Sequence, residues 1–215
     1  MALKNVPIKS MLEPNPLRVL ITGSTGYIGG RLVPRLRAKG HQLRCIARNP
    51  SRIEWHRRPG VEIIQADLED IGAPARVLQG IDVAYYLIHS MASGDAFRER
   101  DRLMATAFGA AAAKAGVRRI IYLGGLGDPE KVTSKHLISR HEVGRCLTAN
   151  GVPVIEFRAA VIVGSGSASF EMIRHLVERL PLMVAPTWVK TRCQPIGIRS
   201  VMEYLVEALD HPSAH

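Results

Sequence analysis

The 215-residue sequence predicts an α/β fold, a doubly wound parallel sheet with helices on both faces. Three observations carry that expectation. Short β-branched runs alternate with helix-like segments along the whole chain. Most of those runs are nearly continuous in apolar residues, as strands covered on both sides must be. The first run then passes into a glycine-spaced turn that opens a helix, "VLITGSTGYIGG".

The strands are expected at 17–22 (LRVLIT), 42–47 (QLRCIA), 61–66 (VEIIQA), 82–88 (DVAYYLI), 118–124 (RRIIYLG) and 153–163 (PVIEFRAAVIV). Helices fill the intervals at 27–39, 73–79, 97–115, 137–149, 169–180 and 201–209. Residues 1–16 carry a proline or a charge every few positions and no signal-peptide core, so they read as a flexible leader before one domain over 17–215. Gly40, Gly116 and Gly151 each follow a helical run and suit the left-handed position just past a helix end. Pro34 falls inside the first helix, where it removes an N–H and should kink the helix or loosen a hydrogen bond. Ser200 with Glu203 spells a capping box for the last helix, and Val201, Leu205, Ala208 and Leu209 follow a core-facing stripe.

Composition narrows the function classes. With 47% hydrophobic residues the chain can bury a sizeable core, and only 5% aromatics suits helices on a sheet better than a β-sandwich. No apolar run approaches the roughly 18 residues that span a bilayer, and a cytoplasmic location is expected from the cysteine usage. Cys45, Cys146 and Cys193 are odd in number and far apart, which suits small buried thiols in a reducing compartment. The net charge of +10 comes from 29 Lys and Arg against 19 Asp and Glu. Those cations are scattered, and no zinc finger, RNA motif or basic arm accompanies them, so nucleic acid is not the expected partner. A phosphate-rich small ligand or an anionic partner surface fits as well, and a protein partner or homo-oligomer is left open. No Cys/His/Asp group has metal-ligand spacing, and no Ser-His-Asp or phosphotransfer motif occurs.

The glycine turn is the strongest signal. Gly23, Gly26 and Gly29 stand at G-x-x-G-x-x-G spacing, with Ser24, Thr25, Tyr27 and Ile28 between them. Gly23 permits a tight turn, Gly26 lets backbone approach a pyrophosphate, and Gly29 lets the helix pack close to the strand. The helix N-terminus then offers free N–H groups and partial positive charge to the anion. A dinucleotide cofactor is therefore expected. An Asp or Glu on the ribose would select NAD, but the second strand ends "CIARNPSR", with Arg48 and Arg52 and no acid. Arginine can clamp a 2′-phosphate, which favours NADP over NAD, the alternative being solvated loop charges. Asp67 and Leu68 end the third strand, where the carboxylate could meet the adenine amino group or cap a helix.

The motifs "TGSTGYIGG", "ADL", "YYLIHS" and "RAAVIVGSG" resemble the short-chain dehydrogenase/reductase superfamily in its extended and atypical branches. "YYLIHSM", "IIYLGGLG", "SRHEVG" and "GSGSASFEMIRHLVERLP" look closest to an atypical group akin to the NmrA-like regulators and the 39-kDa subunit of respiratory complex I. The resemblance covers about residues 17–209 and implies a Rossmann fold binding NAD(P)(H) at the carboxyl ends of its strands. It also implies chemistry by Ser, Tyr and Lys. The serine would follow the fifth strand, where Gly124 or Gly125 stands, and the Tyr-x-x-x-Lys pair aligns with His136 and Arg140.

Histidine titrates at about 6.5 unaided and tyrosine at about 10, so His136 could donate a proton, although Arg140 beside it disfavours the imidazolium. Arg140 could bind ribose hydroxyls in place of lysine. The alternative is that His136 caps its helix and Arg140 is a surface or ribose-binding charge. Tyr86 and His89, ending the fourth strand, are expected to face the cofactor cleft, with Tyr122 in the core. His141 and Glu142 could support Arg140 or lie on a solvated helix face. Gly164, Ser165 and Gly166 fall where the superfamily holds the nicotinamide. Two functions follow: a nicotinamide-dependent oxidoreductase of unknown substrate with a non-standard active site, or a non-catalytic NADP-sensing or assembly module.

Overall fold

The computed structural model describes residues 16–89, 96–128, 130, 134–179 and 193–211. The expected leader lies, apart from Pro16, outside the described residues. Six parallel strands form the sheet: β1 (Arg18–Ile21), β2 (Gln42–Ala47), β3 (Val61–Gln65), β4 (Val83–Tyr86), β5 (Arg119–Gly125) and β6 (Val154–Ala159). Their spatial order is β3–β2–β1–β4–β5–β6. The winding reverses between β1 and β4, and the crevice beyond the carboxyl ends of these strands is where such a sheet accepts a ligand.

The helices are α1 (Gly29–Ala38), α2 (Ala73–Leu78), α3 (Ala96–Ala115), α4 (Lys135–Thr148), α5 (Ala168–Arg179) and α6 (Ile198–Asp210). Strand alternation divides the interior in two. Leu20, Ala84, Tyr86, Ile120 and Tyr122 pack with Val77 of α2, Phe108 of α3 and Leu147 of α4. Val19, Ile21, Tyr85 and Ile121 turn the other way, onto Leu32 and Leu36 of α1 and Leu205 of α6. Each large apolar side chain buried this way contributes about 1.5–3 kcal/mol. The Tyr85 hydroxyl donates to the Leu205 carbonyl at 2.6 Å and ties β4 to α6.

Several expected boundaries shift. The 153–163 run divides into β6 and a short β7 (Ile162–Val163), which pairs with β8 (Ile196–Gly197) in a separate two-stranded sheet. β5 ends at Gly125, so the last bond between these strands is from Leu126 N–H to the Ala159 carbonyl, and the chain bends at Ala160. The last helix starts at Ile198 with Gly197 as its cap, so Ser200 lies inside the first turn and the capping box does not form. β8 leads straight into the helix and leaves no room for that cap. A 3-10 helix over Pro50–His56, absent from the sequence reading, follows β2, with the Asn49 side chain accepting from Ser51 N–H at 3.1 Å.

α1 continues through Pro34 as one helix, while Gly40, Gly116 and Gly151 take the left-handed conformations expected of them. Cys45 is buried and its thiol is pushed up to about 12 by desolvation, but Cys146 is half-buried and Cys193 exposed, so the buried-thiol expectation holds for Cys45 alone. Among the described residues no helix is long and apolar enough to cross a membrane.

Tyr85→Phe removes one of the donors to the Leu205 carbonyl and should lower unfolding free energy by about 0.5–1.5 kcal/mol, read by urea denaturation. His56 and His141 are buried, and desolvation is the leading cause holding both below the usual histidine range. The unfolded chain therefore takes up protons first as pH falls below about 6.5, so this stability is intact above that pH and declines below it. A shallower decline between neutral and mildly acidic pH is expected for His56→Phe, measured by denaturation at a series of pH values.

Candidate cofactor cleft and active site

The turn from β1 to α1 is shaped by missing side chains. Gly23 adopts φ +64°, and a Cβ on it would lie 2.8 Å from the Leu87 carbonyl oxygen. A Cβ on Gly29 would collide with the Gly23 carbonyl oxygen. Hydroxyls pin the turn on both sides: Ser24 donates to the Ile46 carbonyl at 2.8 Å, and Thr22 donates to Tyr85 O at 3.0 Å while accepting from Leu87 N–H at 2.8 Å. At the N-cap, Ile28 supplies no side-chain hydrogen bond, and the first turn of α1 holds no acid. Gly30 and Arg31 N–H donate to the Gly26 and Ile28 carbonyls at 3.0 and 3.1 Å, but no carboxylate offsets the partial positive charge of the helix end, and the site fits a diphosphate.

A cleft of about 520 Å³ opens above this turn. Gly23, Thr25 and Gly26 form its base, Arg48 lies beyond β2, Asp67 and Leu68 beyond β3, and His89 beyond β4. Sequence reasoning missed Glu69, Arg100 and Met104, which also line it, with Arg100 and Glu69 paired at 3.6 Å. Arg100 and Met104 are one turn apart on α3; that spacing was their only signal.

Ser24, Tyr27, Ile28, Gly29 and Arg52 lie off the cleft wall. Ser24 is buried in its bond to Ile46. Tyr27 carries the Arg31 guanidinium over its ring at 3.9 Å, and Arg31 donates to the Ser165 carbonyl at 2.9 Å. The buried Tyr27 hydroxyl lies 2.6 Å from where a Gly164 Cβ would be, so Tyr27 and Arg31 hold the 164–166 loop against α1. Ile28 and Gly29 serve as cap and first residue of α1. Arg52 is exposed on the 3-10 helix, where its carbonyl accepts from Trp55 Nε1 at 3.2 Å. Asp67 accepts from Glu69 N–H at 3.1 Å, while α2 starts at Ala73 behind Gly72, so Asp67 caps no helix.

His136 and Arg140 do share the start of α4, but Ser134 is the cap residue, which removes the capping role for His136. The exposed His136 ring stacks on Phe97, centroids 4.8 Å apart at 19°. Arg140 is half-buried, donates to the Leu123 carbonyl at 3.1 Å, and accepts from the Tyr122 hydroxyl on its own carbonyl at 2.9 Å. The serine position is refilled by neighbours. A Cβ on Gly124 would lie 2.7 Å from Glu156 Oε1, and one on Gly125 would lie 2.5 Å from Leu137 Cδ2 and 3.0 Å from Arg140 Cδ.

His89 is open to the cleft, yet desolvation, reinforced by the charge of Arg140, pushes it down to about 4, so its ring is neutral near pH 7. Tyr86 corrects the expectation: it is buried between Phe108 and Tyr122, 5.0 and 6.1 Å between ring centroids, facing the core and not the cleft. Tyr122 is in the core as expected. His141 is buried rather than solvated, and Glu142 pairs with Arg98 and not with Arg140. Among the described residues no group of His, Cys, Asp or Glu could hold a metal ion.

Comparison with known proteins agrees with this geometry. The NAD(P)H-binding family matches residues 23–150. A 3β-hydroxysteroid dehydrogenase/Δ5→4-isomerase of Mycobacterium tuberculosis is 34% identical over 115 residues, 49% of this chain and 30% of that enzyme. The match thus spans less than a third of that relative's length. The fold is shared with the UDP-glucuronic acid 4-epimerase of Bacillus cereus in complex with NAD, at TM-score 0.75, 17% identity, and coverage of 92% and 75% of the two chains. It is also shared with the triphenylmethane reductase of Citrobacter sp. complexed with NADP(H), at TM-score 0.61, 20% identity, and coverage of 75% and 55%. Since the family match takes in more than half of the sequence, and the glycine turn, the strand order and the cleft are those of a Rossmann fold, the chain belongs to the NAD(P)H-binding family.

Proposed function

We propose that the protein is an NADP(H)-dependent oxidoreductase of the atypical short-chain dehydrogenase type, working without the Ser-Tyr-Lys set. One observation carries this reading: the cleft at the sheet reversal joins an uncapped helix N-terminus to Arg48, with no carboxylate at the end of β2. Among the described residues Arg48 has no ion-pair partner, whereas Arg44, Arg57, Arg98 and Arg102 are each paired to a glutamate. A cation left unpaired in a ligand cleft suits a 2′-phosphate. Arg52 extends the same charge from the 3-10 helix, and Asp67 with Leu68 receives the adenine.

When bound, the nicotinamide supplies a hydride donor or acceptor. The protein's part is to position and to move a proton. Arg140, fixed through Leu123 at the end of β5, has five N–H donors of which that bond takes one, so it can also hold ribose hydroxyls. His136, supported on the Phe97 ring, is the proton donor of this reading, and neutral His89 is a polar group lining the cofactor. A bulky apolar alcohol or carbonyl compound is the substrate class. Its support is the steroid and triphenylmethane named for two similar proteins and the exposed Met172, Ile173, Leu176 and Val177 on α5, beyond the 164–166 loop. A cytoplasmic location belongs to the same reading.

The refilled serine position favours a second reading, a non-catalytic NADP-sensing or assembly module. NADPH oxidation across sterol ketones, aryl ketones, aldehydes, quinones and sugar nucleotides separates the two: turnover with any class supports the enzyme, and tight NADPH binding with none supports the module. Given turnover, His136→Phe should lower it about 100-fold or more at unchanged nucleotide affinity, and full retention removes His136 from the mechanism. By calorimetry, Arg48→Ala should weaken NADPH about 10–100-fold and leave NADH unchanged. Equal affinity of the wild type for both nucleotides defeats the 2′-phosphate assignment.

A further inference from the structure

β6 ends the sheet, and among the described residues no strand covers its outer edge. Ile120 N–H donates to the Pro153 carbonyl at 2.9 Å and Leu126 N–H to the Ala159 carbonyl at 3.0 Å. By parallel register, odd-numbered residues of β6 bond inward, and the backbone groups of Val154, Glu156 and Arg158 face outward. Beside this edge runs a groove of about 810 Å³ toward α6, walled by Val152, Ile155, Phe157, Tyr204 and Ala208. The rings of Phe157 and Tyr204 stack at 6.3 Å and 26°, and Tyr204 is 53% exposed. An open edge beside an apolar groove is a surface that sheets of this kind cover.

We propose that a second copy of this chain covers this edge, the two β6 strands pairing antiparallel about a two-fold axis at Phe157. The charge pattern selects that axis. In an antiparallel pair, only residues with outward backbone groups can exchange both hydrogen bonds. An axis at Glu156 opposes two glutamates, an axis at Arg158 opposes two arginines, and an axis at Ile155 sets Glu156 against Val154. Only the axis at Phe157 sets Glu156 of each copy against Arg158 of the other, twice, with both side chains on one face. Glu156 and Arg158 already attract each other within one strand at 2.9 Å, so the same pair serves across the axis. On the opposite face the two Phe157 rings meet, and their Tyr204 partners close the groove with an aromatic cluster. The contact is isologous, so it closes as a dimer and leaves no new edge.

Sedimentation equilibrium of the full chain over a concentration series tests this, with hydrogen exchange on the same samples. The expected result is a dimer whose Glu156 and Arg158 amides gain protection as the dimer fraction rises. Arg158→Glu places carboxylates face to face across the axis, and Tyr204→Glu charges the aromatic cluster. Each should weaken dimerisation about tenfold or more while NADPH binding and circular dichroism stay as in the wild type. A chain that stays monomeric overturns the proposal, whether those amides exchange freely or are protected by residues of the same chain. So does a dimer that neither substitution weakens, because it is then built on another face.

Discussion

Two missing Cβ atoms set the geometry of the whole cleft. Gly23 must lie against the Leu87 carbonyl, and Gly29 against the carbonyl of Gly23, at distances that no side chain permits. Because both approaches are available, β1 turns into α1 beside β4, and the first turn of the helix arrives at the sheet reversal with no acidic side chain on it. The Ser24 and Thr22 hydroxyls fix that turn to β2 and β4, so it is positioned before any ligand arrives. Preorganisation of this kind avoids an ordering cost on binding. Tyr27 extends the same scaffold outward, since its ring and Arg31 hold the 164–166 loop where the nicotinamide end of a dinucleotide would lie.

At the other end of the cleft, the departure from superfamily chemistry is a matter of packing as well as residue type. Glu156 fills the volume that a side chain at 124 would need, and Leu137 with Arg140 fills that at 125. Gly144 on α4 is part of the same arrangement, because its Cβ would stand 3.3 Å from Glu156 Oε1. Restoring a serine would therefore require the Glu156 carboxylate, or the Leu137 and Arg140 side chains, to move aside.

The sheet was legible because its strands are buried on both faces, so "VLI" and "RIIYLGG" read as continuous apolar runs. What failed depended on partners that local pattern cannot show. β6 stops at Ala159 because β5 has ended, and Ile196 with Gly197 becomes a strand because Ile162 and Val163 lie beside it. The cleft divided in the same way. Gly23, Gly26, Arg48 and Asp67 sit at the ends of consecutive strands, where position in the chain predicts position in space. Arg100 and Met104 come from α3, whose rotation about its axis is set by packing against α2 and α4. Tyr86 and His89 show the limit most sharply: three residues apart at the end of β4, one is sealed among aromatic rings and the other is open to the cleft.

The electrostatics of the cleft bear on which nucleotide it suits. The chain carries a formal charge of +10, and several arginines, among them Arg44, Arg102 and Arg174, are paired with a glutamate one helical turn away or on a neighbouring strand. Exposed pairs of this kind contribute about 0–1 kcal/mol each and little long-range field. Arg48 differs in lining a concave site without an ion-pair partner among the described residues. His89 adds no charge of its own, because desolvation and Arg140 keep its ring neutral near pH 7. A neutral imidazole can still donate or accept a hydrogen bond, whereas a carboxylate there would repel the diphosphate. In the cleft the Arg48 cation and the positive end of α1 stand beside the carboxylates of Asp67 and Glu69, so an anionic ligand is attracted at the end of β2 and at the helix N-terminus and repelled at the end of β3.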